Sequence, residues 1–281
     1  MVNGVSAIAM SVLREPCSCQ KQTGDWRWQS GRHCVIWVLL RLTNMVMYGR
    51  QWGTSGPDIV LVHGHVVSSR YMVKLGEALG QWFRVYAPDL PGSGRSERPP
   101  RALSIRELAD TLDTFITERS LDQPALLGNS MGCQVICDLV ARKPVASRLV
   151  LQGPTIDSEA RKLNVMLGRF FRSAMHERRL LPLARIYLWD LWTAGFLRSW
   201  DTLQFALGDR PEDNAMRISV PTLVVRGAND YIAPESWVAL LARRLPNGRL
   251  MTIPKTGHGL HYSETDRFVS AILPFLLARK H

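Results

Sequence analysis

The chain of 281 residues has no long apolar run. Val35 to Leu40 is cut off by Arg41, far short of the roughly 20 apolar residues that a bilayer-spanning helix needs, so no stable membrane insertion is expected. The first thirteen residues are mildly apolar but lack a basic leading region, and a secretory signal is not expected. Cysteine is scarce and odd in number: Cys17, Cys19, Cys34, Cys133 and Cys137 form no zinc-type pairing with one another or with a histidine cluster. A disulfide framework and a metal centre are therefore not expected, and reduced thiols fit a cytoplasmic protein. Neither is needed for stability, because a chain of this length buries roughly three quarters of the surface its unfolded form exposes. There are no internal repeats or low-complexity tracts. Basic residues outnumber acidic ones, 35 to 24, for a net charge of +11. They are not interleaved with aromatics at the spacing of a nucleic-acid module, so a solvated arginine-rich surface is expected and a nucleic-acid partner is not.

What is present reads in order. Residues 1–33 show no clean periodicity and are expected to form a poorly ordered extension. Two strand-like runs, Cys34–Leu40 and Met45–Trp52, suggest an antiparallel opening to a sheet. From Asp58 apolar strands alternate with helical patterns, the signature of a parallel sheet covered on both faces. The strands are Ile59–Val62, Phe83–Ala87, Ala125–Leu127, Arg148–Leu151, Thr222–Val225 and Arg249–Ile253. Ser104 and Glu107 stand at capping-box spacing before a stripe of Leu108, Leu112, Phe115 and Ile116. Residues 155–217 break the alternation with a Leu-, Trp- and Arg-rich helical stretch, expected as a cap inserted in a core of 34–154 and 218–281. Between Arg161 and Arg185 that stretch carries seven basic residues and one acidic, Glu177.

The chemistry centres on Leu126 to Gly132, an apolar strand that runs into G-x-S-x-G and then into a helical pattern. A serine at the top of a strand must turn sharply to present its hydroxyl, and flanking glycines leave room for that turn. By composition alone the pattern arises about one time in ten in a chain this long, so the context must support it. A serine hydroxyl needs a base within reach and an acid to orient that base. His258, in a glycine-flanked loop after the last strand, is the expected base, with His261 as the rival. Asp230, in the loop after the preceding strand, is the expected acid, with Asp157 as the alternative. The order Ser130, Asp230, His258 favours Asp230. The backbone N–H groups of Met131 and His65 are the expected donors to a developing oxyanion, with Val66 as second choice for the latter. Substrate contacts are expected from His63, Gly64, Val66, Asn129 and His261, and from Trp189 and Trp192 of the cap.

Together His63-Gly64, the D-L-P-G-x-G-x-S run from Asp89 to Ser96, the elbow at Gly128–Gly132, the G-x-x-D at Gly227–Asp230 and Gly257-His258 resemble the α/β-hydrolase superfamily. The resemblance runs from about Met45 to Phe275. It implies an α/β fold with a mostly parallel eight-stranded sheet, a helical cap after the sixth strand, a serine esterase activity on small to medium carboxylic esters, and no cofactor. Cys133 departs from the pattern, standing where many members carry a second glycine. A serine nucleophile separates the chain from the dehalogenase and epoxide hydrolase branches, which use aspartate. The G-N-S-M-G elbow is similar to that of carbon–carbon bond hydrolases, yet their glycine-rich HGGGPG-type loop is replaced here by His63 to Ser69. Carbon–carbon hydrolysis or acyl transfer on the same triad therefore stays open. So does a non-catalytic binding scaffold, which would have no need of a base and an acid at these positions.

Overall fold

The computed structural model describes residues 12–14, 36–42, 45–159, 161–175 and 180–278. Most of the 1–33 extension, Cys17, Cys19, Cys34, and the histidines His33, His176 and His281 lie outside the described residues. The eight expected strands all form: β2 (Ile36–Leu42), β3 (Met45–Trp52), β4 (Asp58–Val62), β5 (Arg84–Pro88), β6 (Ala125–Asn129), β7 (Arg148–Gln152), β8 (Thr222–Gly227) and β9 (Gly248–Ile253). A ninth, β1 (Val12–Arg14), was not anticipated; it pairs antiparallel with β2 from within the N-terminal extension. The order across the sheet is β1-β2-β3-β5-β4-β6-β7-β8-β9. The first three strands and the β3–β5 pair are antiparallel, and every pairing from β5 to β9 is parallel.

The central strands are buried along their whole length because helices cover both faces. Successive side chains point to opposite faces, and each strand feeds two cores. Val60, Val62, Leu126, Leu149, Leu151 and Val224 pack with helices α2 (Ile105–Glu118), α3 (Met131–Arg142) and α8 (Glu235–Arg244). Their neighbours Ile59, Leu61, Leu127, Val150 and Val225 pack with α1 (Val73–Leu79) and α10 (Thr265–Leu277) on the other side. A 3-10 turn, Ser69–Met72, leads into α1. A short helix α9 (Leu260–Ser263) stands between the β9 loop and α10.

The capping box on α2 forms as its spacing requires. Ser104 Oγ accepts the Glu107 N–H at 3.3 Å, and Glu107 Oε2 accepts the Ser104 N–H at 2.9 Å. Ser104→Ala removes one arm of this reciprocal cap and is expected to cost about 1 kcal/mol. Thermal unfolding should show it as a midpoint lowered by roughly 2–4 °C.

The segment 155–217 lies between β7 and β8. It carries α4 (Leu163–Met175), α5 (Leu180–Ala194), α6 (Phe196–Gly208) and α7 (Pro211–Ala215). Because the parallel strands all run one way, the loops after β4, β6, β7, β8 and β9 gather at one edge of the sheet. In open α/β sheets that carboxyl edge is where ligands bind.

Candidate active site

Ser130 sits between β6 and α3 with φ 55° and ψ −122°. A non-glycine residue there holds roughly 1–3 kcal/mol of backbone strain, which the surrounding packing must over-determine. The packing is visible. The Ser130 N–H donates to the Gln152 carbonyl of β7 at 3.0 Å, and the Cys133 N–H returns to the Ser130 carbonyl at 3.0 Å. At Gly132 a Cβ would stand 2.3 Å from the Val62 carbonyl oxygen, so only glycine lets α3 start this close to the end of β4. Gly64 is similarly confined, its missing Cβ position lying 3.0 Å from the Ser130 Cβ. Cys133 does not crowd the elbow: its Sγ lies 3.2 Å from the Gly128 carbonyl, and burial pushes the thiol pKa well up, leaving it unreactive.

The loops after β8 and β9 bring Asp230 and His258 together, with Asp230 Oδ2 2.8 Å from His258 Nδ1. Asp230 is buried, and its other oxygen accepts the N–H groups of Ile232 and Ala233, both at 3.0 Å. Three donors therefore converge on one carboxylate, fixing its plane and holding the imidazole with Nδ1–H toward it. Arg226 fixes the same loop by donating to the carbonyls of Ala228, Asp230 and Ala233. The space in front of Gly153, which follows β7, is filled by this pair; a Cβ there would lie 2.9 Å from the His258 ring and 3.0 Å from Asp230 Oδ2. The rival acid Asp157 is occupied elsewhere, with one oxygen paired to Arg169 and the other accepting the Glu159 N–H at 3.0 Å.

The sequence reading missed Gln152, the last residue of β7, which is fully buried at the centre of the site. Its Nε2 donates to the His258 carbonyl at 2.8 Å, so its Oε1 faces the other way. There Oε1 accepts from Asn129 Nδ2 at 2.5 Å and from His261 Nδ1 at 2.8 Å. With its backbone oxygen on Ser130, this one residue ties the serine strand to the histidine loop. The available signal was a polar residue closing an apolar strand just before Gly153. Two expected substrate contacts thereby take structural roles: Asn129 and His261 are buried and face Gln152. His261 is held neutral, its pKa pushed down to about 3 by burial and by neighbouring His258.

Gln152→Ala would strand the Asn129 amide, the His261 N–H and the His258 carbonyl in a dry interior, each at a cost of about 1–3 kcal/mol. We expect a loss of about 3 kcal/mol or more in chemical denaturation, and a fall in kcat that exceeds any rise in KM.

The loop after β4 forms the remaining side. His63 is buried and neutral: its Nδ1–H donates to the Gly64 carbonyl at 2.8 Å, and its Nε2 accepts the Leu90 N–H at 3.0 Å. Both ring nitrogens are thus engaged within the protein, and His63 holds the Leu90 loop rather than facing a ligand. Val66 has φ 58°, a rare conformation for a β-branched residue, immediately after His65. Gly64, His65, Val66 and Met131 line a small cavity whose other wall is Asp190, Ala194, Ser199 and Thr202 of α5 and α6. Polar bonds hold those helices down. His65 donates from Nε2 to the Ser199 carbonyl at 2.8 Å, and Ser68 donates to Asp190 at 2.7 Å. Asp190, another residue the sequence reading passed over, is buried in this wall, and burial raises the pKa of its carboxyl. Trp189 and Trp192 do not line the cavity. Trp192 is 82% exposed on the opposite side of α5, and Trp189 is 54% exposed on its flank, with the Arg70 guanidinium 5.4 Å from its ring centre.

A strained serine at the start of a helix, a buried carboxylate–imidazole pair and a loop of backbone donors can together support acyl transfer through a covalent intermediate. Comparison with known proteins agrees with the fold and class. Residues 59–271 match the model of the alpha/beta hydrolase family. The chain is 29% identical over 248 residues to a pimeloyl-[acyl-carrier protein] methyl ester esterase of Nitrosomonas europaea, covering 77% of this chain and 94% of that protein. Two solved structures share the fold. An enol-lactonase from Burkholderia xenovorans LB400 has a TM-score of 0.73 at 21% identity, over 85% of this chain and all of the other. A hydrolase from Pseudomonas aeruginosa PA01 has a TM-score of 0.74 at 21% identity, over 86% and 98%. With residues 59–271, most of its length, matched by the family model, the chain belongs to the alpha/beta hydrolase family.

Proposed function

We propose that the protein is a serine esterase that hydrolyses small to medium carboxylic esters through an acyl-enzyme on Ser130. The observation that carries this reading is the buried 2.8 Å contact between Asp230 and His258 at the same sheet edge as the strained serine. In the first half-reaction His258 Nε2 takes the Ser130 proton as Oγ attacks the ester carbonyl carbon. The negative charge passes to the carbonyl oxygen, which the N–H groups of Met131 and His65 receive. Collapse of this intermediate expels the alcohol, and His258 returns the proton to it. Water, deprotonated by the same imidazole, then attacks the acyl carbon and releases the acid and the free serine. Asp230 stabilises the imidazolium formed in both halves.

In this reading residues 155–217 act as a cap. Helices α5 and α6 stand over the β4 loop beside Met131, and in this reading they contact the bound ester there. The Nitrosomonas europaea relative, named a methyl ester esterase, supports the ester class over carbon–carbon cleavage. The test is twofold: hydrolysis of nitrophenyl esters of graded acyl length by the wild type, and labelling of the wild type by an organophosphonate with mass spectrometry of the modified peptide. Turnover with label on Ser130 is expected. An unlabelled serine and no turnover would return the chain to the binding-scaffold reading.

A further inference from the structure

We propose that the outward face of α4, α5 and α6 docks on an anionic lipid bilayer. Helix α5 carries apolar residues on both its inner and its outer side, a pattern that belongs to a helix covered on both. Its inner stripe is accounted for: Leu183 is buried against Val67 and Tyr71, Ile186 and Tyr187 pack on the same cluster, and Asp190 and Ala194 close the cavity. The outer stripe, Leu181, Leu188 and Trp192, recurs at helical spacing and is exposed, Leu181 at 80%, with Trp189 at its edge beneath the Arg70 guanidinium. The neighbouring helices also expose large apolar side chains. Phe171 and Met175 are exposed on α4, and Phe196 and Leu197 at the start of α6, Leu197 at 78%. Soluble monomers rarely leave so many large apolar side chains together on one surface. The outer stripe cannot be the wall of the cavity, because the inner stripe already is.

Charge selects the occupant. Lys162 just before α4, Arg172 of α4 and Arg185 of α5 are exposed, whereas Arg161 and Arg169 are paired with Glu212 and Asp157. A second copy would bring the same basic face against itself on a chain of net charge +11, whereas an anionic surface attracts it. Tryptophan, phenylalanine and leucine interspersed with Lys and Arg are the composition of helices that lie in the headgroup region. Among the described residues no helix is long and apolar enough to cross a membrane, consistent with a face that rests on the bilayer without spanning it.

The experiment is co-sedimentation of the full chain with vesicles of phosphatidylcholine alone and of equal parts phosphatidylcholine and phosphatidylglycerol. It requires no hydrolysis, so failure of the esterase reading would leave it intact. The wild type is expected to bind the anionic vesicles at least about tenfold more tightly than the neutral ones, with affinity falling as salt is raised. The double variant Leu181→Ser with Leu197→Ser, both at exposed positions, should keep its thermal midpoint and lose about tenfold or more in binding. Equal partition to both vesicle types, no binding to the anionic ones, or unchanged binding by the double variant would overturn the proposal. So would a dimer in light scattering that the double variant dissociates, since a second copy would then be the occupant.

Discussion

Ser130→Ala is expected to lower kcat for nitrophenyl ester hydrolysis by at least about 10⁴-fold while leaving the fold unchanged. The size follows from the chemistry: without Oγ no acyl-enzyme forms, and His258 and the oxyanion donors can only assist direct attack by water. What remains should be the modest rate that binding and oxyanion stabilisation give by themselves. The fold should persist because the elbow is held by backbone bonds, from the Ser130 N–H to Gln152 and from the Cys133 N–H to Ser130, which alanine keeps. Circular dichroism and organophosphonate labelling complete the test. Turnover within tenfold of the wild type, at an unchanged melting profile, would remove Ser130 from the mechanism.

Asp230→Asn should cost about 10⁴-fold in kcat with little change in KM, and for a reason readable in the geometry. The carboxylate faces two fixed backbone donors, Ile232 and Ala233, on one oxygen and the His258 ring on the other. An asparagine must keep its carbonyl oxygen toward the two N–H groups, because its NH2 would meet them donor to donor. The NH2 then faces Nδ1, which can accept only if the ring proton moves to Nε2. An imidazole protonated at Nε2 cannot take a proton from Ser130. The measurement is kcat and KM across pH, alongside a thermal melt to show that the loop still folds. A loss confined to KM would mean that Asp230 contributes to binding and not to the tautomer.

Much of this site was legible in the linear chain. Ser130, His258 and Asp230 each follow a short apolar strand and lie within three residues of a glycine, a grammar that survives without coordinates because strand ends and turns have strong local chemistry. The eight strands were legible for the same reason, as was the capping box at Ser104 and Glu107. The roles of polar residues inside the site were not. Asn129, His63 and His261 are side chains a reader of sequence assigns to substrate, yet each is buried and bonded within the protein. Trp189 and Trp192 were expected at a pocket and are exposed instead, because periodicity shows that a helix has two apolar stripes without showing which one packs. The β1 strand escaped notice because three residues carry too little pattern to stand out from an irregular extension.

The amino-acid sequence by itself determined the alternation of strand and helix, the place of the insertion between β7 and β8, and the order of serine, aspartate and histidine. Those are local properties, set by hydrophobic period and turn chemistry within a few residues. Tertiary structure alone decided that Gln152 joins β6, β7 and the β9 loop through one amide, that Asp190 is buried above the β4 loop, and which stripe of α5 meets water. Each of these depends on side chains far apart in the chain competing for the same space and the same hydrogen-bond donors. Such competition is resolved only when the sheet has brought its five loops to one edge.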